Sequence, residues 1–346
     1  MTTLIYRLAL RGAFHVGARG FAREVTESYI PSDTLYSALV VAWDRLGMDV
    51  ESLLTPFLDG TAPLLLSSGY PYVGDVRFYP RPFLRHRVEG ESLEDVLRGY
   101  RWVSEGLLGR LVRHEAIEPT TTTSAQDGSV WLLREEERLL PRSTRRLEGD
   151  SLIWRVQAVS RVTLDRVTNA SQVYHIGRVG YAPGCGLWFA ARVADQMWLE
   201  RLEAGLSLLA DEGIGGLRSI GHGAFSWERW DGASLPCPDE TGDYALTLSR
   251  FTPGGDDGMQ ALLDERAIYR LTLVGGWSHG ARGTRRRRSI RMVAEGSLFR
   301  RPLRGAVIDV TPAIADLGHP VYRFGLAFAL PVAPEAVPTS EEAVYG

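Results

Sequence analysis

Five of the eleven residues from Gly213 to Gly223 are glycine, at 213, 215, 216, 221 and 223. So many glycines cost backbone entropy, and glycine is the usual choice where φ must be positive or where another backbone comes very close. The polar side chains between them are Arg218, Ser219 and His222. Upstream, apolar residues at 198, 199, 202, 206, 209 and 210 follow helical spacing. Downstream, Ala224-Phe225-Ser226-Trp227-Glu228 alternates as a strand does. The order is therefore helix, glycine loop, strand.

That order excludes two phosphate-binding readings. A dinucleotide fingerprint runs strand, loop, helix, and a Walker loop needs Gly-Lys-Ser/Thr opening a helix. Here the loop follows a helix C-terminus, whose dipole repels anions. Anion binding would have to come from backbone N–H groups and from Arg218, Ser219 and His222. The competing reading is a tight, packed connection, which is expected to account for one or two of the glycines and not for all five.

The pattern Gly213-x-Gly-Gly-x-Arg-Ser-x-Gly-x-Gly-x-Phe225 resembles the glycine-rich loop of the RAMP proteins, the RNA-binding subunits of CRISPR effector complexes. Pro31-Ser32-Asp33-Thr34-Leu35-Tyr36-Ser37-Ala38-Leu39 is similar to the first helix of one branch of that Cas5-like superfamily. Arg291–Phe299 and His319–Phe328 are similar to its closing strands. That branch caps the guide-RNA 5′ handle in type III-A (Csm) complexes. The resemblance runs in order along nearly the whole chain and is weakest in the middle third. It implies a non-catalytic RNA-binding subunit with no cofactor, acting in antiviral defence. Its partners would be the crRNA 5′ handle, indirectly the target RNA, a large polymerase-like signalling subunit and a backbone RAMP subunit. A metal-independent RAMP endoribonuclease that processes repeat RNA is the alternative.

Bulk properties agree with a globular protein. The chain has 346 residues, 45% hydrophobic and 23% charged, enough for one large domain or two ordinary ones. A net charge of −3 argues against a wholly basic nucleic-acid binder, so RNA contact requires a local basic surface. All 39 basic residues are arginine, which favours bidentate phosphate contacts and base stacking. Cys185 and Cys237 lie far apart with no metal-ligand spacing, so neither a disulfide framework nor a metal site is expected. Met1–Gly12 carries Arg7 and Arg11 and lacks the apolar stretch of a signal peptide. No apolar run approaches the roughly 18 residues of a membrane helix. A cytoplasmic protein without membrane contact is the expectation.

Along the chain, Thr3–Arg11 reads as a strand that enters a loop with His15 and Arg19. Pro31-Ser32-Asp33 announces a helix with Ser32 or Asp33 as N-cap, and Gly47 ends it. Ala62–Ser68 reads as a short strand, Gly69–Pro82 as loop, and Leu93 to about Glu115 as a long helix capped by Ser92. Residues 119–129 read as a mobile polar segment, and Arg134–Arg138 as a solvated face. Trp154–Tyr181 alternates like a β-hairpin with a basic face, Arg155, Arg161, Arg166 and Arg178 interleaving with it. The resemblance implies that this insertion is a thumb beneath the guide–target duplex. Gly186–Val193, the helix at 198–210 and the strand at 224–230 complete β–α–β–insertion–β–α–β, the ferredoxin-like order.

The expected fold class is thus α+β, two ferredoxin-like (RRM-like) domains. The first spans 1–235, with an insertion at about 69–182, and the second spans 236–346. In the second half, Asp243–Phe251 and Ala267–Trp277 read as strands and Asp256–Glu265 as a short helix. Arg282, Arg285, Arg286, Arg287, Arg288 and Arg291 fall within ten residues. Such a run neutralises several phosphates with strong salt sensitivity, unless it is simply a solvated face. His15 is a weak candidate general base with no matching acid. His222 reads as an RNA contact, and Asp33 as a helix cap in preference to a catalytic acid.

Overall fold

The structure, a computed structural model, describes residues 1–17, 25–87, 99–144, 152–164, 171–280, 283–312 and 317–339, with backbone alone at 256, 257, 279, 280 and 283. Arg19, Ser92, Arg166 and Arg282 lie outside the described residues. The fold is mixed α and β, and mostly sheet.

Strand β1 (Thr2–Leu10) is followed by α1 (Ser32–Arg45), α2 (Val50–Leu58) and β2 (Leu64–Leu66). The glycine at 47, with φ +74, ends α1 as expected. The N-cap does not fall where the sequence suggests. Pro31 occupies it without a side-chain cap, because both candidate caps are engaged elsewhere. The Ser32 hydroxyl accepts the Arg250 N–H at 3.0 Å, and Asp33 is ion-paired to Arg323.

Gly69–Pro82 is not loop. It holds β3 (Tyr70–Val73) and β4 (Val76–Pro80), whose residues are all buried and so lack the alternation that marks a half-exposed strand. The expected helix from Leu93 to Glu115 is not continuous either. Strand β5 (Trp102–Ser104) precedes a two-turn helix α3 (Glu105–Val112), capped by Ser104. The segment 119–129 contributes β6 (Thr122–Ala125), which pairs with β7 (Val130–Leu133). In the short helix α4 (Arg134–Glu137), Glu136 is buried, accepting the Gly106 N–H at 2.8 Å and a hydrogen bond from Ser104 Oγ. Burial raises its carboxyl above the ordinary range. The expectation of a solvated face fails at that residue.

Next come the long hairpin β8 (Trp154–Leu164) and β9 (Ser171–Tyr181), then β10 (Cys185–Val193), α5 (Gln196–Glu212) and β11 (Phe225–Arg229). These are the hairpin, strand, helix and strand read from the sequence. The main sheet has nine strands in the order β11-β1-β10-β3-β4-β5-β7-β6, with β2 also on β10. Tyr6 of β1 lies opposite Phe189 of β10, and their rings stack at 5.1 Å. Helices α1 and α5 pack closely where Gly205 faces Leu39 and Trp43, and Trp43 Nε1 donates to the Arg201 carbonyl at 2.8 Å.

The second half carries β12 (Tyr244–Thr247), α6 (Gly255–Leu263), β13 (Leu271–Val274), β14 (Trp277–Gly280) and β15 (Gly283–Arg286). It continues with β16 (Ile290–Val293), β17 (Leu298–Arg300), β18 (Gly305–Asp309), β19 (Tyr322–Leu326) and β20 (Ala329–Pro331). These strands form a small sheet β17-β12-β20 and the two-stranded ribbons β13–β16, β14–β15 and β18–β19. One hydrophobic core runs from Tyr6, Leu39 and Trp188 to Leu246, Phe324 and Leu330. Tyr36 of α1 stacks on Phe324 of β19 at 4.8 Å.

Candidate nucleic-acid interface

Gly213 closes α5 with φ +84, donating its N–H to the Leu209 carbonyl at 2.8 Å. The loop then folds back on the segment after β1. An added Cβ at Gly215 would stand 2.4 Å from the His15 carbonyl oxygen, and at Gly223 2.1 Å from that of Ile214. Both residues also have φ near +90 and +82, where side chains are strained. A Cβ at Gly213 would stand 2.5 Å from the His222 carbonyl oxygen and at Gly216 2.9 Å from the His15 ring, and Gly221 alone of the five opens on space. Close packing therefore accounts for four of the glycines, more than the one or two expected from sequence.

The same packing engages the loop's amides. Ile214 N donates to Gly223 O at 3.0 Å, Gly216 N to His15 O at 2.8 Å, and Gly223 N to Ala13 O at 3.0 Å. The amides at 213, 214, 216 and 220–223 are engaged within the chain, so the cradle of N–H groups expected from sequence shrinks to part of the segment 215–219. There the first N–H groups of the 3₁₀ turn Arg218–Ile220, those of Arg218 and Ser219, have no acceptor inside the turn. Ser219 is exposed, and half-buried Arg218 lies 3.5 Å from Glu212. Phe225 is fully buried in the core, paired with Leu10.

A second wall comes from the β8–β9 hairpin. Its register sets Arg155 opposite Gly180, Gln157 opposite Arg178, and Arg161 opposite Tyr174. Successive side chains alternate between faces, so Arg155, Gln157, Arg161, Tyr174 and Arg178 share one face. Val156, Val162 and Val173 lie on the other and are exposed. Arg178 donates to Gln157 Oε1 at 3.1 Å. The hairpin root is tied to the loop after β1, with Phe14 and Val179 exchanging backbone hydrogen bonds of 2.9 Å. His15 Nδ1 lies 2.7 Å from the Gly177 carbonyl oxygen, which makes its ring part of that tie.

Three segments thus meet: the loop at 13–16, the glycine loop and the arginine face of the hairpin. His222 registers the meeting electrically. Burial holds its imidazole below the usual value, and Arg178, Arg161 and His15 push the same way against a hydrogen bond with the Ile220 backbone. A phosphate placed there would meet arginines and a histidine whose protonation its negative charge would favour. Arg178 belongs to this face as much as Arg161 does. The interleaving of arginines with the alternation already suggests it, and the register sets Arg178 opposite Gln157.

The arginine run is a separate feature. Arg285 and Arg286 are exposed on β15, opposite Ser278 and Trp277. Beyond the strand, Arg287 Nε donates to the Trp277 carbonyl at 2.9 Å and Arg288 to the Asp309 carbonyl at 2.5 Å. Arg291 is exposed on β16. The run is therefore half of a ribbon and its flank, not a loop. Among the described residues, no cluster of three or more His, Cys, Asp or Glu side chains is placed to hold a metal, and no helix is long and apolar enough to cross a membrane.

Set beside known proteins, this fold is that of a CRISPR effector subunit. A chain of the crystal structure of the Csm3–Csm4 subcomplex in the type III-A CRISPR-Cas interference complex superposes with a TM-score of 0.66. That match covers 96% of this chain and 100% of the other at 18% identity. A chain of the Csm1–Csm4 cassette bound to cA4 gives 0.57 at 17% identity, covering 98% and 100%. The family model for the CRISPR Csm4 C-terminal domain matches residues 240–332. In sequence, the CRISPR system Cms protein Csm4 of Mycobacterium tuberculosis is 30% identical over 328 residues, 92% of this chain and 94% of that protein. The Csm4 protein of Thermococcus onnurineus is 28% identical over 303 residues, covering 87% and 91%. The chain belongs to the Csm4 family.

Proposed function

We propose that this chain is a non-catalytic RNA-binding subunit of a type III-A CRISPR interference complex, gripping the crRNA 5′ handle in antiviral defence in the cytoplasm. The observation that carries this is the meeting of the glycine loop, the His15 loop and the arginine face of β8–β9. Single-stranded RNA is held through its phosphates and by splayed bases, and arginine serves both. Arg218, Ser219, His222, Arg161 and Arg178 would line one path, and Arg285, Arg286 and Arg291 would offer further phosphate contacts from the second half. The related Csm3–Csm4 and Csm1–Csm4 assemblies support a bridging role between the large signalling subunit and a backbone RAMP subunit. Target RNA would be touched indirectly, through the β8–β9 hairpin.

The strand order β11-β1-β10-β2, with α1 after β1 and α5 after β10, supports a ferredoxin-like first domain over 1–235. The family match that begins at 240 supports a second over 236–346. Holding rather than cutting is favoured because the buried His15 ring is engaged with the Gly177 carbonyl. Ultraviolet crosslinking of the assembled complex, read by mass spectrometry, tests the reading. RNA adducts are expected on peptides spanning 213–223 and 171–181. Guide RNA in the assembly with an unmodified 213–223 peptide would overturn it. Sequence-specific cleavage of repeat RNA by the purified chain, lost in His15→Ala, would establish the endoribonuclease instead.

A further inference from the structure

The least expected residue in the fold is Asp33, the second residue of α1, which has no exposed surface. It faces Arg323 of β19 and Arg250 beyond β12, both at least nine-tenths buried. Arg323 is ion-paired with Asp33 Oδ2, and Arg250 Nη1 lies 3.5 Å from Oδ1. Glu295 balances Arg250 at 3.7 Å, and is itself held by Ser68 Oγ at 2.6 Å and the Tyr29 hydroxyl at 3.1 Å. Burial alone would raise the Asp33 carboxyl, but Arg323 first and Arg250 next keep it low and charged. Burying this many charges is costly unless the arrangement fixes something.

Arg323 indicates what is fixed. Its second terminal nitrogen donates to the Gly275 carbonyl at 2.7 Å, directly before β14. The next two carbonyls, of Gly276 and Trp277, accept from the Arg287 N–H at 3.0 Å and from Arg287 Nε at 2.9 Å. Arg287 is within electrostatic reach of the same group: burial brings its guanidinium down to about 10, Arg323 adds to the fall, and Asp33 opposes it. The β14–β15 ribbon pairs with no further strand among the described residues. A lone two-stranded ribbon is marginal in water, so its pose depends on its root.

We propose that Asp33 is the positioning residue for the arginine-bearing β14–β15 ribbon: through Arg323 it holds the Gly275 carbonyl and so sets where Arg285 and Arg286 stand. Asp33 opens the helix that follows the His15 segment. One carboxylate of the first half thus bears on the cations of the second. The functional part of this inference rests on the RNA-binding reading, whereas the mechanical part does not.

The test uses the full chain and three variants: Asp33→Asn, Arg323→Met and the two combined. The double variant removes both charges and leaves Arg250 paired with Glu295, so it remains informative if a single variant fails to fold. Amide hydrogen exchange is read at 277–286 against β1 and β10. About tenfold faster exchange confined to the ribbon is expected, equivalent to a factor of ten in its opening equilibrium. Ribbon exchange unchanged in the double variant, or accelerated equally in β1 and β10, overturns the proposal. Salt-dependent binding of a short fluorescein-labelled single-stranded RNA is read in parallel. The slope of log affinity against log salt is expected to fall by about 1.4 in the double variant, roughly 0.7 for each of two displaced arginines. An RNA slope unchanged while the ribbon loosens also overturns the positioning role. Wild-type protein that shows no salt-dependent RNA affinity defeats the RNA-binding reading separately, and exchange alone then decides the mechanical claim.

Discussion

The glycine loop at 213–223 and the arginine ribbon at 277–288 are the two regions whose sequences most suggest RNA, and they are built on opposite principles. In the loop, backbone meets backbone. Three glycines let the backbones of His15, Ile214 and His222 approach, Gly216 admits the His15 ring, and the amides are largely engaged within the chain. In the ribbon, Arg285 and Arg286 project from a root anchored by buried arginines. A glycine-rich stretch can therefore be functional through what it positions, here His222, Arg218 and the hairpin root, without being a phosphate cradle itself. An arginine run can be half attachment and half display.

The largest expected effect tests the first half of that contrast. Gly223→Ala forces a Cβ to within 2.1 Å of the Ile214 carbonyl oxygen at φ +82, whereas Gly221, at φ +83, has nothing within 4 Å. Gly223→Ala should cost about 3 kcal/mol or more, combining overpacking with left-handed strain. Gly221→Ala should cost only the strain, about 1 kcal/mol. Denaturant midpoints of the two variants measure this, and equal losses would mean that the loop is not packed as described.

The ribbon is tested by neutralisation. Arg285→Gln with Arg286→Gln should leave the denaturation midpoint within about 0.5 kcal/mol, since both side chains are exposed. The salt slope for single-stranded RNA should fall by roughly 0.7 per arginine. Arg287→Gln should behave differently, destabilising the ribbon because its Nε holds the Trp277 carbonyl. A uniform response across the three would erase the distinction between anchoring and displayed arginines.

How much of this was legible in advance follows from the same contrast. Helix α1 and its Gly47 stop, helix α5 and the β8–β9 hairpin each carry an undisturbed period, β10 is a nearly unbroken apolar run, and all appear where the sequence puts them. Strands β3 and β4 do not, because Tyr70–Val73 and Val76–Pro80 are buried throughout and rich in Tyr and Pro. Tyr100, Leu107, Leu108 and Leu111 happen to fit one helical stripe, yet Trp102–Ser104 lies between them as a strand. Tertiary pairing there overrides local preference. The site was legible as residue types and not as geometry. Glycines signalled a close approach without naming the partner, and nothing local to Asp33 announces Arg250 and Arg323, more than 200 residues away.

The smallest effect separates the two regions by pH. Burial and the neighbours Arg178, Arg161 and His15 hold His222 below its usual value, so in the free protein it takes up its proton at a lower pH than an unfolded histidine does. For a depressed histidine, the associated stability is fully present above about 6.5 and is lost as pH falls through the lower folded value. A phosphate bound beside it reverses the neighbours' repulsion and raises that value. RNA binding should therefore take up a proton, and affinity should rise as pH is lowered from about 7.5 to about 5.5. In His222→Gln this rise should vanish, while the contribution of Arg285 and Arg286 stays flat because guanidinium does not titrate there. Fluorescence anisotropy across that range decides the point. A pH dependence that survives His222→Gln unchanged would take the phosphate away from this histidine and leave the glycine loop a scaffold only.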